Sequence, residues 1–320
     1  MIRVRTPLRL PFAGGLTDVK AYAQRFGGVT VSATIGLGVE VELCSSRSGR
    51  FEIVDAEGHE AVDRLDDIRN DLVREVLRAV DPAHQPVRVV VRLEVEGKSG
   101  LGASGAIAVA LLQAAWTARG VRPTAAELGR EAARIEVEVL AGNSGYHDPH
   151  VCARGGILRL DYRGAEVEAT GIELPQRFLS EFEASLLLFA TGVRAGTRES
   201  LSRLSGRLDD ALDVMHEIKA LAKETEQALT RGDLHGIARC IAEQQHLKQR
   251  LPGNFNDPLV TEVHSLLAPL GASVQFPGGK VGAYMFVCCP DAQQPQVRAA
   301  LDRFAELPLS FSMEGSRVVE

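Results

Sequence analysis

Apolar positions change their rhythm repeatedly along the chain. Through "MIRVRTPLRL" they alternate, which predicts a strand, and "FAGGLTD" breaks the pattern with a glycine-rich turn. "GGVTVSATIGLGVEVELCSS" is rich in β-branched residues and predicts two strands parted by a glycine break at Gly36–Gly38, with "RFEIVDAE" as a further short strand. The spacing then lengthens. In "DDIRNDLVREVLRAV" the residues Ile68, Leu72, Val76, Leu77 and Val80 recur at helical intervals, which predicts an amphipathic helix. "VRVVVRLEVEG" returns to strand character and feeds "KSGLGASGAIAVALLQAAW", where small residues lead into an alanine-rich apolar helix.

"RPTAAELGREAARIEVEVLAG" opens with a capping box, Thr124 and Glu127, and continues as a helix whose stripe is Leu128, Ala132, Ile135 and Val139, with Gly142 as its stop. "GGILRLDY" and "ASLLLFATG" predict strands. From about Leu201 long helical patterns take over. "LDDALDVMHEIKALAKETEQAL" carries Leu208, Leu212, Met215, Ile218, Leu221 and Leu229 along one side, and "DLHGIARCIAEQQHLKQ" and "DPLVTEVHSLLAPLG" predict two more helices. A strand (Ala283–Cys289), a helix (Val297–Leu307) and a last strand close the pattern. Strands dominate first and helices later, so the expected class is α+β with two lobes, meeting near residues 170–185 and divided as 1–178 and 179–320.

Composition narrows the partners. The 320 residues are 45% apolar and 24% charged with a net charge of −6, which gives no electrostatic reason to expect nucleic acid or an acidic membrane. Arg3, Arg5 and Arg9 interrupt the N-terminal apolar pattern, so it does not read as a signal peptide, and no run approaches the roughly 18 apolar residues of a membrane span. The five cysteines lack metal-type spacing and read as reduced thiols of a cytoplasmic protein.

The segment Gly100, Leu101, Gly102, Ala103, Ser104, Gly105 stands between a strand and a helix. Unpaired N–H groups and the helix dipole make such a helix start a natural seat for phosphate, and glycines let the backbone approach it. A tight turn that only permits close packing explains the same residues. "GKS" at Gly97–Ser99 is not a P-loop, because Arg92 stands where that motif needs its first glycine. Asp18 caps the following "VKAYAQRF" or accepts hydrogen bonds from sugar hydroxyls. Taken alone, Glu136 reads as a solvent-facing helix glutamate and Asp148 as a residue of a loop before Pro149. Brought together, two such acids suit magnesium-dependent phosphoryl transfer. His147 and His150 in "HDPH" lack a third ligand at zinc spacing. Arg194 and Arg198 belong to a solvated loop or grip a phosphate already on a substrate.

These motifs carry a resemblance. "SGLGASGA" resembles the second signature of the GHMP kinases (galactokinase, homoserine kinase, mevalonate kinase and phosphomevalonate kinase), roughly P-x-x-x-G-L-G-S-S-A-A, with the proline missing, Ala103 for the first serine and Gly105 for the first alanine. "PLRLPFAGGLTD…FGGVTVSATI" is similar to the first signature of the bacterial heptose-phosphate kinases of that superfamily, close to R-x-P-L-R-x-x-F-A-G-G-G-T-D with a later F-G-G and S-A-T-I. "YHDPHVCARGG" is similar to their Q-D-Q-Y-A-A-A-Y-G-G, with His147 and Pro149 in place of the two glutamines. The last third also resembles them, though the final G-A-G-G-G-G-F turn has become "PGGKVGAY".

The resemblance implies a two-lobed fold: a ribosomal-protein-S5-like N-terminal lobe and a ferredoxin-like C-terminal lobe with added helices. It implies ATP and Mg²⁺ as cofactors, with Gly100–Gly105 as phosphate cradle, Ser104 and Glu136 as metal ligands, Asp148 as base and Arg9 at the reaction centre. Gly15, Thr17, Asp18, His147, Arg194 and Arg198 are the expected substrate residues. The expected acceptor is a small-molecule sugar or sugar phosphate, foremost D-glycero-D-manno-heptose 7-phosphate at C1. An anomeric kinase of an unphosphorylated sugar such as fucose or a uronic acid, and a non-catalytic regulator of the same fold, are the alternatives. A monomer or homodimer is expected.

Overall fold

The computed structural model describes residues 1–80, 85–96, 100–141, 144–193, 198–252, 257–278 and 282–319. Among them two sheets form. The first contains β1 (Ile2–Ala13), β2 (Gly28–Ser45), β3 (Phe51–Asp55), β4 (Gly58–Val62), β5 (Val87–Leu93), β6 (Ile157–Arg163) and β7 (Glu166–Gly171). The second is built from β8 (Leu186–Ala190), β9 (Ser273–Gln275), β10 (Tyr284–Cys288) and β11 (Ala305–Leu307), in the order β11-β8-β10-β9 with every pair antiparallel. A short last strand, β12 (Arg317–Val318), returns to the first sheet and pairs with β1.

The spine of the first sheet is β2. It is one strand of 18 residues and does not break at Gly36–Gly38 as its glycines suggest. What changes there is its neighbour: Gly28–Ala33 pair with β6, and Val39–Ser45 pair with β5. On its other edge β1 runs antiparallel throughout, and its register jumps from Pro7↔Gly38 to Leu8↔Ile35. The glycines thus mark a bulge at a fork in the sheet.

Helices cover these sheets: α1 (Lys20–Phe26), α2 (Asp71–Val80), α3 (Ala103–Ala118), α4 (Ala125–Ala133), α5 (His147–Arg154), α6 (Gln176–Ala184), α7 (Arg198–Gly206), α8 (Leu212–Arg231), α9 (Leu234–Gln249), α10 (Pro258–Leu267) and α11 (Gln294–Ala300). The central helix α3 is alanine-rich because it is enclosed, with β1 and β2 on one side and α2, α4 and α5 around it. Its alanines let these neighbours approach closely, and nine of its residues are buried. Among the described residues no helix is long and apolar enough to cross a membrane. All five cysteines are free.

Tertiary pairing overrides local pattern in three places. The helix expected over Val297–Leu307 stops at Ala300, because Ala305–Leu307 are drawn into the sheet against β8. Asp148 lies in the first turn of α5 and not in a loop. The helix after the Thr124 capping box, which is present as expected, gives way to a π-helical turn over Arg134–Val139 in which Leu140 N–H reaches the carbonyl of Ile135, 2.9 Å away. The extra residue in that turn rotates the helix face. Val139, expected in the apolar stripe, is exposed, and Glu136, four residues after Ala132, is buried. Position 178 falls inside α6, and the return of β12 ties the end of the described chain to the first sheet.

Candidate active site

The strand β1 delivers Arg9 and then ends in the turn Gly14–Asp18. Gly14 adopts φ +79°, and a Cβ there would sit 1.9 Å from the carbonyl oxygen of Val29, so no larger residue fits. Leu16 also has positive φ, at +81°, in a buried apolar environment. A non-glycine residue there carries strain of order 1 kcal/mol, which the packing of its side chain offsets. Thr17 closes the turn: its hydroxyl donates to the carbonyls of Gly14 and Val29 and accepts from Val29 N–H. It is buried and engaged by backbone, which makes it a structural residue and corrects its expected contact with substrate. Gly15 and Asp18 line a cleft of about 750 Å³ between the lobes.

On the cleft's far wall α3 begins at Gly102, in the left-handed conformation, with no side-chain cap. The first-turn N–H groups of α3 are therefore uncapped by side chains, as an anion seat requires. Gly100, Gly102, Ala103 and Ser104 line the cleft, whereas Leu101 is fully buried beneath it and its carbonyl accepts from Arg9 N–H. The glycines serve packing as well. A Cβ on Gly100 would come 2.4 Å from the Pro277 carbonyl oxygen, and one on Gly102 would come 3.0 Å from Arg9 Cγ.

Arg9 and Asp148 meet at this helix start. Arg9 Nε donates to Asp148 Oδ1 at 2.8 Å, a second guanidinium nitrogen lies 2.6 Å from the same oxygen, and the third donates to Gly100 O at 2.5 Å. His147 Nδ1 approaches Asp148 Oδ1 at 3.2 Å, and its Nε2 bonds Ser32 Oγ at 2.6 Å. Burial alone would raise the Asp148 pKa, but the charge and hydrogen bonds of Arg9 and His147 outweigh it and hold the carboxyl well below the usual range. Asp148 therefore stays ionised and is a weak proton acceptor in the resting site. Both nitrogens of His147 are engaged, by Asp148 and Ser32, and its ring lines the cleft.

Glu136 is buried, and the Ser104 hydroxyl hydrogen-bonds its carboxylate. Burial raises its pKa to about 7, Ser104 opposes the rise, and Asp148 adds to it. A buried carboxyl this short of countercharge, next to a hydroxyl at a helix start, fits a divalent ion bound jointly with phosphate oxygens. Asp18 does not cap α1; it accepts from His147 N–H at 3.2 Å instead, and burial raises its pKa. His150 is directed to another cavity, so the two histidines of "HDPH" do not converge. Arg194 lies outside the described residues, as does the side chain of Arg198.

Two contributions were not foreseen from sequence. Ser32, on β2, fixes His147. Lys248, on α9, is buried and donates to the carbonyls of Phe276 at 2.7 Å and Gly278 at 2.8 Å. It thereby pins the turn after β9, whose Gly278 abuts Gly100. The segment "LKQRL" holds Lys248 within the resemblance, but its pattern names no partner.

Residues 71–156 match the GHMP kinases N terminal domain. The crystal structure of a D-glycero-D-manno-heptose 1-phosphate kinase from Bacteroides thetaiotaomicron shares the fold, with a TM-score of 0.83 over 100% of this chain and 99% of that one at 23% identity. The D-glycero-alpha-D-manno-heptose 7-phosphate kinase of Campylobacter jejuni is 25% identical over 299 residues, which cover 89% of this chain and 88% of that protein. The matched span carries Ser104, Glu136 and Asp148. The chain is also 22% identical to the L-fucokinase/L-fucose-1-P guanylyltransferase of Bacteroides fragilis, over 96% of its own length and 37% of the other's. These similarities support a sugar kinase, a phosphotransferase, and the two-lobed α+β architecture expected from sequence is the one found.

Proposed function

We propose that this protein, as a GHMP kinase, transfers the terminal phosphoryl group of ATP to a sugar hydroxyl, with the anomeric hydroxyl of a heptose 7-phosphate as the leading acceptor. The observation that carries the reading is the meeting, at an uncapped helix start, of Asp148, which lines the cleft and stays ionised, with the buried Glu136, bonded to Ser104 beside it.

The first-turn amides of α3 receive phosphate oxygens, and Arg9, anchored on Gly100, brings positive charge to the same point. Ser104 and Glu136 would hold Mg²⁺, which when bound neutralises phosphate charge. Asp148, kept ionised by Arg9 and oriented by His147, accepts a hydrogen bond from the acceptor hydroxyl and takes its proton late, as its charge is relieved. Little basicity is needed, because phosphoryl transfer depends mainly on positioning and electrostatics. Asp18 and Gly15 face the sugar. Apolar Leu72, Val91, Leu93 and Ile107 line the cleft and suit the flat face of a nucleotide base.

The test is ADP release from ATP and Mg²⁺ over a panel of sugars and sugar phosphates. Release that depends on D-glycero-D-manno-heptose 7-phosphate supports the reading, and no release with any acceptor overturns it. The similarity to a fucokinase favours a second reading, an unphosphorylated acceptor. It gains if kcat/KM for a free sugar exceeds that for every sugar phosphate.

A further inference from the structure

The helix α9 directs Gln244 at Gly14 of the first lobe, and Gln245 and Lys248 at the turn after β9. Lys248 is satisfied by two carbonyls, and Gln245 accepts from Phe276 N–H at 3.0 Å. Gln244 and its neighbour across the cleft, Gln275 of β9, are only half satisfied. Both are essentially fully buried, at 0% and 2% exposure.

Their amides are fixed by backbone partners. Gln244 Oε1 accepts from Gly14 N–H at 2.8 Å, which leaves Nε2 as the free end, and that donor has no partner. Gln275 Nε2 donates to the Pro11 carbonyl at 3.1 Å, which leaves Oε1, an acceptor with no partner. Neither amide can flip without losing its backbone bond. Leaving a buried polar atom unpaired costs roughly 1–3 kcal/mol, and folded proteins rarely leave two in one cleft. Both residues line the same cleft as Asp18 and Asp148, both hold the segment Pro11–Gly14, and a Cβ on Gly15 would come 3.9 Å from Gln244 Nε2.

One orphan is a donor and the other an acceptor. A hydroxyl both accepts and donates, so it is the one group that suits either orphan. A phosphate oxygen would meet the Gln275 carbonyl with like charge, and a methylene would satisfy neither. The geometry points to Gln244 and Gln275 as specificity-determining residues that read one hydroxyl of the acceptor sugar. This rests on the sugar-kinase reading of the cleft.

The experiment measures binding, so that it is independent of phosphoryl transfer. Calorimetric dissociation constants are determined, with a non-hydrolysable ATP analogue present, for D-glycero-D-manno-heptose 7-phosphate, D-mannose 6-phosphate, L-fucose and their monodeoxy analogues. With the wild type, one deoxy position should weaken binding on the order of tenfold to a hundredfold. Gln244→Glu keeps an acceptor for Gly14 N–H and turns the free donor into an acceptor. It should weaken the parent sugar by a similar factor, abolish discrimination at that one position, and leave nucleotide affinity unchanged. Gln275→Met should do the same if its melting temperature shows it folded; if it does not fold, Gln244→Glu carries the test alone. Equal binding of all deoxy analogues by the wild type, retained discrimination in Gln244→Glu, or binding of none of the three sugars overturns the proposal. If binding follows the expected pattern but no sugar releases ADP, the kinase reading fails and the hydroxyl-reading pair stands.

Discussion

Gly105 and Pro149 are in contact: a Cβ on Gly105 would lie 2.9 Å from the Pro149 nitrogen, 3.0 Å from its Cδ and 2.8 Å from Asp148 Cβ. Each residue departs from the pattern that its motif resembles, where alanine and glutamine stand. The two departures fill one space. Proline is well placed in the first turn of α5, where its missing N–H is not needed, and a glycine on α3 makes room for its ring.

Gly105→Ala should therefore displace Asp148 while leaving the fold intact. Gly105 is helical with φ in the ordinary range, so the alanine is acceptable to the backbone. A shift of about 1 Å at the reacting groups costs on the order of 100-fold in kcat. Steady-state kinetics alongside a melting curve would check this, and adding Pro149→Gln should restore part of the loss.

Removing Arg9 should alter the pH profile. In Arg9→Ala only His147 is left to offset the burial of Asp148, so its pKa rises and the acid limb of kcat/KM moves to higher pH. Asp148→Asn should lower kcat by about 100- to 10,000-fold across the whole range. An acid limb that stays in place in Arg9→Ala would show that Asp148 is not the group titrating there.

Glu136 makes a prediction about stability. Its folded pKa of about 7 lies above the ordinary 4.5, so the folded state holds the extra proton between those values and loses stability as pH rises through them. Glu136→Gln should stabilise the metal-free protein at pH 8 by on the order of 3 kcal/mol, and by almost nothing below pH 4. It should also abolish kinase activity. In the wild type, added Mg²⁺ should shift the Glu136 titration to lower pH, because a cation favours the carboxylate. Denaturant unfolding at both pH values and activity titrations would test each part.

Lys248→Met should loosen the nucleotide end of the cleft. It removes both hydrogen bonds that hold the turn against Gly100 and leaves two carbonyls unpaired. The expected outcome is a KM for ATP raised on the order of tenfold, with a smaller change in the KM for sugar, read from initial rates with each substrate varied in turn.

Much of this site was legible in the chain because its motifs combine glycines and acids that ordinary packing seldom needs together. Arg9, Gly102, Ser104 and Asp148, which the resemblance singled out, line one cleft, and Glu136 bonds Ser104 there. The burial of Glu136 was not legible because a helical glutamate ordinarily faces water, although its place four residues after Ala132 sets it on the apolar stripe; the π-helical turn hid only the exposure of Val139. The bonding of Thr17 and His147 was not legible for another reason. Their polar atoms are engaged by partners 12 and 115 residues away, Val29 and Ser32, which local patterns do not reveal. The strands β9 and β11, three residues each, are too short to show alternation, and their pairing partners define them.

The pairing of β12 with β1 bears on how the chain is made. Val318 sits opposite Val4 and Arg317 opposite Arg5, on the strand that also carries Arg9. During synthesis β1 leaves the ribosome long before β12, and its outer edge there stays uncovered until residues 317 and 318 have emerged. A nascent chain stalled before residue 317 would expose that edge to pairing with another chain, so chaperone demand should be highest late in elongation.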